Sequence, residues 1–356
     1  MKNYQPTRLF FGENCVQDNA EAMRLGNRAL IITSAHAARA CGALDDVIAA
    51  LKKSGISYTV FDGISPNPKL SDCFKAAKTS ADFVIGVGGG SPMDAAKAIA
   101  VLLKNPGFDE ERLYAGNLSA VPIVCVGTTA GTGSEVAAVA VMTNKQNRKK
   151  SLHEDCLFPT VSFADPCYTE SLPDGITRAT AIDALAHCTE SYFSKAAGDI
   201  SQTYALRGIQ ILLKQFEKYD GAPQKEDRAQ LSLAALYGGL AIAVTGTAFP
   251  HAFGYFLSED HALPHGVACG VFLPAFLAHN RSVCPSLCRT FYERLGTTET
   301  TLLKLIQKMM PQGKPSVTAE EIESLRPRWS HNATLQKTRG DITPDAATEI
   351  LRNVLL

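Results

Sequence analysis

The chain has 356 residues, 46% hydrophobic and 20% charged, enough to bury a substantial core and to form two domains of ordinary size. Lysine plus arginine balances aspartate plus glutamate at 35 each, so no basic field favours nucleic acid or an anionic membrane, and a small molecule is the expected partner. No apolar run is long enough to span a bilayer and the opening Met1-Lys2-Asn3-Tyr4-Gln5-Pro6 lacks the apolar stretch of a secretion signal, so a cytoplasmic location is expected. The ten cysteines form no Cys-x-x-Cys pair and read as mostly reduced thiols.

In chain order, the first half alternates apolar runs with helical stretches. The runs Ala29-Leu30-Ile31-Ile32-Thr33, Tyr58-Thr59-Val60-Phe61, Phe83-Val84-Ile85-Gly86-Val87 and Ile123-Val124-Cys125-Val126 predict a mostly parallel sheet covered by helices. After Asp165-Pro166 the chain turns alanine- and leucine-rich, and residues 174–195, 201–219, 227–246 and 267–280 all read as helices. The expected organisation is an α/β dinucleotide-binding domain over 1–165 and an all-α metal and substrate domain over 166–356. Pro311, Pro315, Pro327 and Pro344 interrupt the segment from 310 to 345, whose arrangement the pattern leaves open.

The strand-like run to Val87 leads directly into Gly88-Gly89-Gly90-Ser91-Pro92-Met93-Asp94 and then an alanine-rich helical segment. Glycines let backbone approach a pyrophosphate, and a helix start offers N–H groups and a positive dipole end. Ser91 suits the N-cap and Pro92 the first helical position. Three glycines alone fit a ligand-free turn equally well. A second loop, Gly127-Thr128-Thr129-Ala130-Gly131-Thr132-Gly133-Ser134-Glu135, follows another strand, and two such loops suit a dinucleotide crevice. The G-x-G-x-x-G fingerprint is absent, so this is no ordinary Rossmann half.

Asp183 and His187 stand four apart on an expected helix and share one face. His251 and His265 would be roughly 21 Å apart on one straight helix, so they meet only if the chain turns between them, with Ser258-Glu259-Asp260 and Pro264 as the break. One carboxylate and three imidazoles suit Fe²⁺ or Zn²⁺ with a position open to a substrate oxygen. Isolated histidines also serve as packing residues, and spacing alone does not decide between the two.

With these motifs in this order, the sequence resembles the iron-containing, or group III, alcohol dehydrogenase family, and within it the propanediol dehydrogenase-like branch. The likeness runs from Pro6-Thr7-Arg8-Leu9-Phe10-Phe11-Gly12 to Leu273-Pro274-Ala275-Phe276-Leu277-Ala278-His279-Asn280. It rests on the glycine segment through Lys97, the loop from Thr128 to Glu135, Asp183 with His187, and Pro264-His265-Gly266. The resemblance implies a nucleotide-binding α/β domain, a helical metal domain and an active site between them. It makes Asp183, His187, His251 and His265 the metal ligands and catalytic residues, with Fe²⁺ the expected ion and Zn²⁺ suited to the same donors. Gly88, Gly89 and Ser91 would face the pyrophosphate of NADP or NAD, and Asp94, Thr128, Thr132, Lys149 and Asn67 would lie along the cofactor.

Two departures stand out. Many members carry another histidine four residues beyond the first C-terminal metal histidine. Here that position is Tyr255, which is expected to serve as a pocket wall or hydrogen-bonding group, with His261 as an alternative proton relay. Many NAD-preferring members place an aspartate after the second strand, whereas this chain has Thr33-Ser34. Two hydroxyls there remove the repulsion of a 2′-phosphate without creating a preference, and Arg39 is either a cationic contact for that phosphate or part of a solvated helix face; NADP(H) is the expected cofactor. The implied activity is interconversion of a small primary alcohol or diol and its aldehyde, by a homodimer. A glycerol dehydrogenase-like or maleylacetate reductase-like enzyme, or a lyase resembling dehydroquinate synthase, is the alternative.

Overall fold

A computed structural model describes residues 4–313 and 315–356. The strands are β1 (Arg8–Phe11), β2 (Arg28–Thr33), β3 (Ser57–Phe61), β4 (Phe83–Gly88), β5 (Ile123–Gly127), β6 (Val139–Thr143), β7 (Lys149–His153) and β8 (Val161–Ala164). Six of them form a parallel sheet in the order β1-β8-β5-β4-β2-β3, while β6 and β7 pair separately as an antiparallel hairpin that the sequence reading did not foresee.

The central strands are apolar on both faces because helices cover both. Leu30, Ile32, Val84, Ile123 and Cys125 pack with the helix α2 (Gly90–Lys104). Their neighbours Ala29, Ile31, Phe83, Ile85, Val124 and Val126 point the other way, toward α1 (Ala43–Lys53). From β2 the chain steps outward to β3, then returns to place β4 on the opposite side of β2. The C-terminal ends of β2 and β4 therefore flank the point where strand order reverses, the place where open α/β sheets bind ligands.

This unit comprises Tyr4–Leu172 together with Pro223–Ser232. The expected boundary at residue 165 falls short of that division. Asp165 caps the turn Pro166–Thr169 by accepting from the Cys167 N–H at 2.9 Å, and buried Tyr168 donates its hydroxyl to Asp46 at 2.7 Å, so the chain stays on the sheet side until Leu172.

The second unit is helical and holds residues 173–222 and 233–356. Its helices include α3 (Asp174–Phe193), α4 (Asp199–Lys218), α5 (Lys225–Thr245), whose first turns belong to the other unit, α6 (Phe249–Asp260), α7 (His265–Gly270) and α8 (Leu273–Val283). From Ala181 to Phe193 every residue of α3 is buried, which explains its small and apolar residues on all sides. The single helix expected over 267–280 is two, α7 and α8, because Pro274 enters at the first turn of α8 and cannot continue α7. Likewise α6 runs through Asp260, and the turn comes at residues 261–264, with Ala262 at φ 54° and Pro264 capping α7. The proline-interrupted segment holds short helices that bury Trp329 edge-on against Phe253, and Pro344 opens the last helix, Pro344–Leu355. Among the described residues no single helix is long and apolar enough to cross a membrane.

Candidate active site

The first cluster lies at the switch point. Gly88 closes β4 at φ 151°, a conformation that glycine alone adopts cheaply, and Gly89 is the cap of α2. The helix thus starts at Gly90, ahead of the expected Ser91 cap. Ser91 and Pro92 fall within the first turn, where N–H groups lack intrahelical acceptors and proline is tolerated. Beside it the Thr128 N–H donates to the Gly88 carbonyl at 2.9 Å. A methyl group at Gly90 would stand 2.7 Å from Thr132, so the two loops touch. The Thr129 hydroxyl is buried there without a hydrogen-bond partner among the described residues.

Asp94 turns toward the protein, accepting from the Ser134 hydroxyl at 2.7 Å and the Val141 N–H at 2.9 Å. Burial pushes its carboxyl up, and Lys97 counters that shift. Lys97 is fully buried, its ammonium donating to the Ser134 carbonyl and hydroxyl and to the Ala137 and Val139 carbonyls at 2.6–2.9 Å. These two residues tether the threonine loop and β6 to α2. Asn67 is exposed at φ 56° and its carbonyl accepts from Thr143, which pairs in the hairpin with Lys149; the Lys149 charge also acts on Asp94. Thr33 differs from expectation: its hydroxyl is buried and donates to the Val87 carbonyl at 2.8 Å, leaving Ser34 as the half-buried hydroxyl at the strand end. Arg39 is exposed on the single turn Ala37–Ala40.

Glu135, at the end of the threonine loop, carries a pH signature. Burial pushes its carboxyl from 4.5 up to about 7. The folded chain keeps this proton where the unfolded chain has lost it, so stability falls as pH rises from 4.5 to 7 and the full penalty, on the order of 3 kcal/mol, holds above 7. Glu135→Gln should match the parent near pH 4.5 and exceed its urea midpoint at pH 8. Equal midpoints at pH 8 would count against this titration.

The second cluster lies in the helical unit. Asp183 and His187 come from α3, His251 from the first turn of α6, and His265 opens α7. The turn at 261–264 folds α7 back against α6 and α3. There Gly266 approaches so closely that a methyl group would overlap the Ala179 carbonyl of α3, at 1.8 Å. Three imidazole Nε2 atoms surround Asp183 Oδ1, at 3.5 Å from His251, 3.8 Å from His187 and 3.9 Å from His265. These separations exceed an N–H···O bond. Among the described residues neither Asp183 Oδ1 nor His251 Nε2 has a hydrogen-bond partner, although both are buried. Burial works against the Asp183 charge, yet His187, His251 and His265 outweigh it and hold the carboxyl well below its usual range. An orphaned hard oxygen and an orphaned imidazole nitrogen, with two further imidazoles turned to the same point, fit a divalent ion.

Sequence reasoning missed two residues here. Glu190, fully buried on α3, sits 2.6 Å from His251 Nδ1 and also accepts from the Ala248 N–H. It directs the other ring nitrogen, Nε2, toward Asp183, as a carboxylate behind a metal-binding histidine does. Cys269 is the other: the donor atoms of Asp183, His251, His265 and Cys269 all lie within 4.8 Å of one another. Tyr255 stacks on His265 with ring centroids 5.6 Å apart. His261 packs edge-on against Phe256 and faces Glu321.

The model of iron-containing alcohol dehydrogenases matches residues 6–166, and that of the family's C-terminal region matches 177–323. The chain is 32% identical over 314 residues to the 1,3-propanediol dehydrogenase of Klebsiella pneumoniae, covering 84% of this chain and 80% of that one. The chain belongs to the iron-containing alcohol dehydrogenase family. The iron-containing alcohol dehydrogenase of Thermotoga maritima superposes with a TM-score of 0.92 at 34% identity, covering 99% of both chains. The sulfoacetaldehyde reductase of Bifidobacterium kashiwanohense, solved with NAD⁺, superposes at 0.88 and 28%, covering 99% of this chain and 98% of that one. As a member of this family the protein is an oxidoreductase of alcohols or diols with a metal site, and its N-terminal parallel α/β sheet followed by a helical domain is the family fold.

Proposed function

We propose that the protein interconverts a small primary alcohol or diol and its aldehyde by hydride exchange with NADP(H) or NAD(H), using an ion held by Asp183, His187, His251 and His265. The observation that carries this is the convergence of three imidazole Nε2 atoms on Asp183 Oδ1, with that oxygen and His251 Nε2 both buried and without hydrogen-bond partners among the described residues. An Fe²⁺ or Zn²⁺ ion there supplies Lewis acidity toward an alcohol or aldehyde oxygen. Glu190 holds the His251 ring in orientation, and the half-exposed edge of His265 leaves the centre open on that side. Gly88, Gly89 and Ser91, at the start of α2, suit the pyrophosphate, with Thr128 and Thr132 beside it and Asn67 and Lys149 further along the cofactor. Asp94 serves by holding the loop. The active assembly is proposed to be a homodimer. An alcohol, diol and aldehyde panel with metal-reconstituted protein, followed at the nicotinamide absorbance, tests the reading. Failure to turn over any member with either cofactor would sink it.

Tyr255, stacked on His265, is proposed as a pocket wall. Tyr255→Phe should shift relative kcat/KM among substrates several-fold while changing the best kcat by less than about threefold. A collapse in kcat with unchanged KM would assign it proton transfer instead.

NADP(H) is the proposed preference, because Ser34 brings no negative charge against a 2′-phosphate and Arg39 is exposed nearby in sequence. A charge-assisted bond from Arg39 would contribute about 1.5–3 kcal/mol, roughly tenfold to a hundredfold in binding. Ser34→Asp should lower kcat/KM for NADPH relative to NADH by about that factor, and Arg39→Ala should do the same. Higher efficiency with NADH in the parent would reject the preference.

A further inference from the structure

One half-buried ammonium in the helical unit, that of Lys337, has no counter-ion. The segment 337–339 docks on the C-terminal end of α3. There the Lys337 carbonyl accepts from the Lys195 N–H at 3.0 Å, and the Arg339 guanidinium donates to the Phe193 and Ser194 carbonyls, both at 3.1 Å. Between them the buried Thr338 hydroxyl accepts from the Phe249 N–H at 3.2 Å, at the start of α6. With its backbone held in this way, Lys337 lays its stem across Gly246. A methyl group on Gly246 would overlap Nζ and stand 3.0 Å from Cε and 3.1 Å from Cδ, and Gly246 itself has φ 68°.

The loop under Lys337 is the one that leads into His251. The Thr245 hydroxyl donates to Ser191 Oγ at 2.9 Å, and the Ala248 N–H donates to Glu190, the carboxylate that also meets His251 Nδ1. Ser191 follows His187 by one turn of α3, about 5–6 Å along the axis. The ammonium thus sits beside a loop anchored one helical turn from a metal ligand, a spacing comparable to the length of a short carbon chain.

No protein group meets this charge. Among the described residues Lys337 Nζ has no hydrogen-bond or ion-pair partner, and burial alone acts on the amine, pushing it below its ordinary value. The buried Lys97 and the partly buried Lys308 differ, since carbonyl oxygens receive both of their ammonium groups. Half-buried Thr247, next to Gly246 on the same loop, also carries a hydroxyl without a partner among the described residues. Hydration lost by an ammonium is replaced only when an acceptor enters, and an anion replaces it best. One ammonium matches one negative charge, which favours a carboxylate over a phosphate dianion.

We infer that Lys337, with the Thr247 hydroxyl, receives a carboxylate at the far end of the substrate, so that short aldehydes or alcohols carrying such a group are preferred to uncharged ones. The inference rests on the reading of the protein as an alcohol–aldehyde oxidoreductase and names the substrate class of that site.

Steady-state kinetics of the metal-reconstituted, full-length protein with succinic and glutaric semialdehydes against butanal and pentanal test it, and the parent alone tests it before any variant is made. In the parent, kcat/KM for the better semialdehyde should exceed that of its matched neutral aldehyde by about tenfold to a hundredfold, as one charge-assisted bond contributes, with the difference mainly in KM. Lys337→Met should bring this ratio close to one by raising KM for the semialdehyde, and Lys337→Arg, which keeps the charge, should retain part of it. A parent ratio near one, or a ratio unchanged in Lys337→Met, overturns the assignment of Lys337 and leaves the alcohol–aldehyde reading standing. Turnover of none of these aldehydes with either cofactor overturns both.

Discussion

Asp183→Asn is expected to empty the metal centre and to lower turnover by roughly a hundredfold or more, while dinucleotide affinity changes little. Asp183 Oδ1 is the point to which His187, His251 and His265 all turn their Nε2 atoms. The amide keeps the volume and loses the charge, so three imidazoles are left facing a neutral oxygen or an N–H₂ that competes with any cation. Because Asp183 is buried, water cannot take over as donor. His265→Ala should act in the same direction and less completely, since His265 is 30% exposed and water can enter its place. The glycine and threonine loops belong to the other unit, so NADPH and NADH titrations should separate loss of metal from loss of fold. Metal content at the parent's level together with undiminished turnover would remove Asp183 from the centre.

Lys97→Met should have the largest effect on stability, a loss of about 3–5 kcal/mol by chemical denaturation. The ammonium is fully buried and satisfies three carbonyls and a hydroxyl, all on the segment from Ser134 to Val139. Methionine fills the space and removes the donor from the three carbonyls, and Asp94 and Glu135 lose the Lys97 charge that favours their ionised forms. Dinucleotide binding should weaken with stability, because the same segment anchors the threonine loop. A change below about 1 kcal/mol would mean that the cage contributes little.

What the sequence displayed depended on whether a signal was local and unambiguous. The parallel strands were legible because Leu30, Ile31 and Ile32 are apolar in succession, as burial on both faces demands. The β6–β7 hairpin was not: β7 opens on Lys149-Lys150, and its polar positions alternate too weakly to mark a strand. The start of α2 was misplaced because Ser91-Pro92 copies a capping signature while Gly88 and Gly89 already supply the turn. Asp183 and His187 could be paired by helical spacing, whereas His251 and His265 could be joined to them only through family resemblance, since a turn of unknown geometry separates them. Glu190 stands seven residues beyond Asp183 on the same helical face, a signal that was present but shared with many structural carboxylates. Cys269 carried no sequence mark beyond its spacing from His265.

The close approach of Gly266 to the Ala179 carbonyl bears on the thermodynamics of ion uptake. His265 is located by main-chain contact between α7 and α3, and His251 by the carboxylate of Glu190, so neither waits for a cation to be put in place. An ion entering such a cage orders few side chains, and the conformational entropy lost on binding is correspondingly small. Chelation should therefore leave far-ultraviolet dichroism and amide exchange in α3 and α7 nearly unchanged, in contrast to small zinc domains whose fold exists only around the metal.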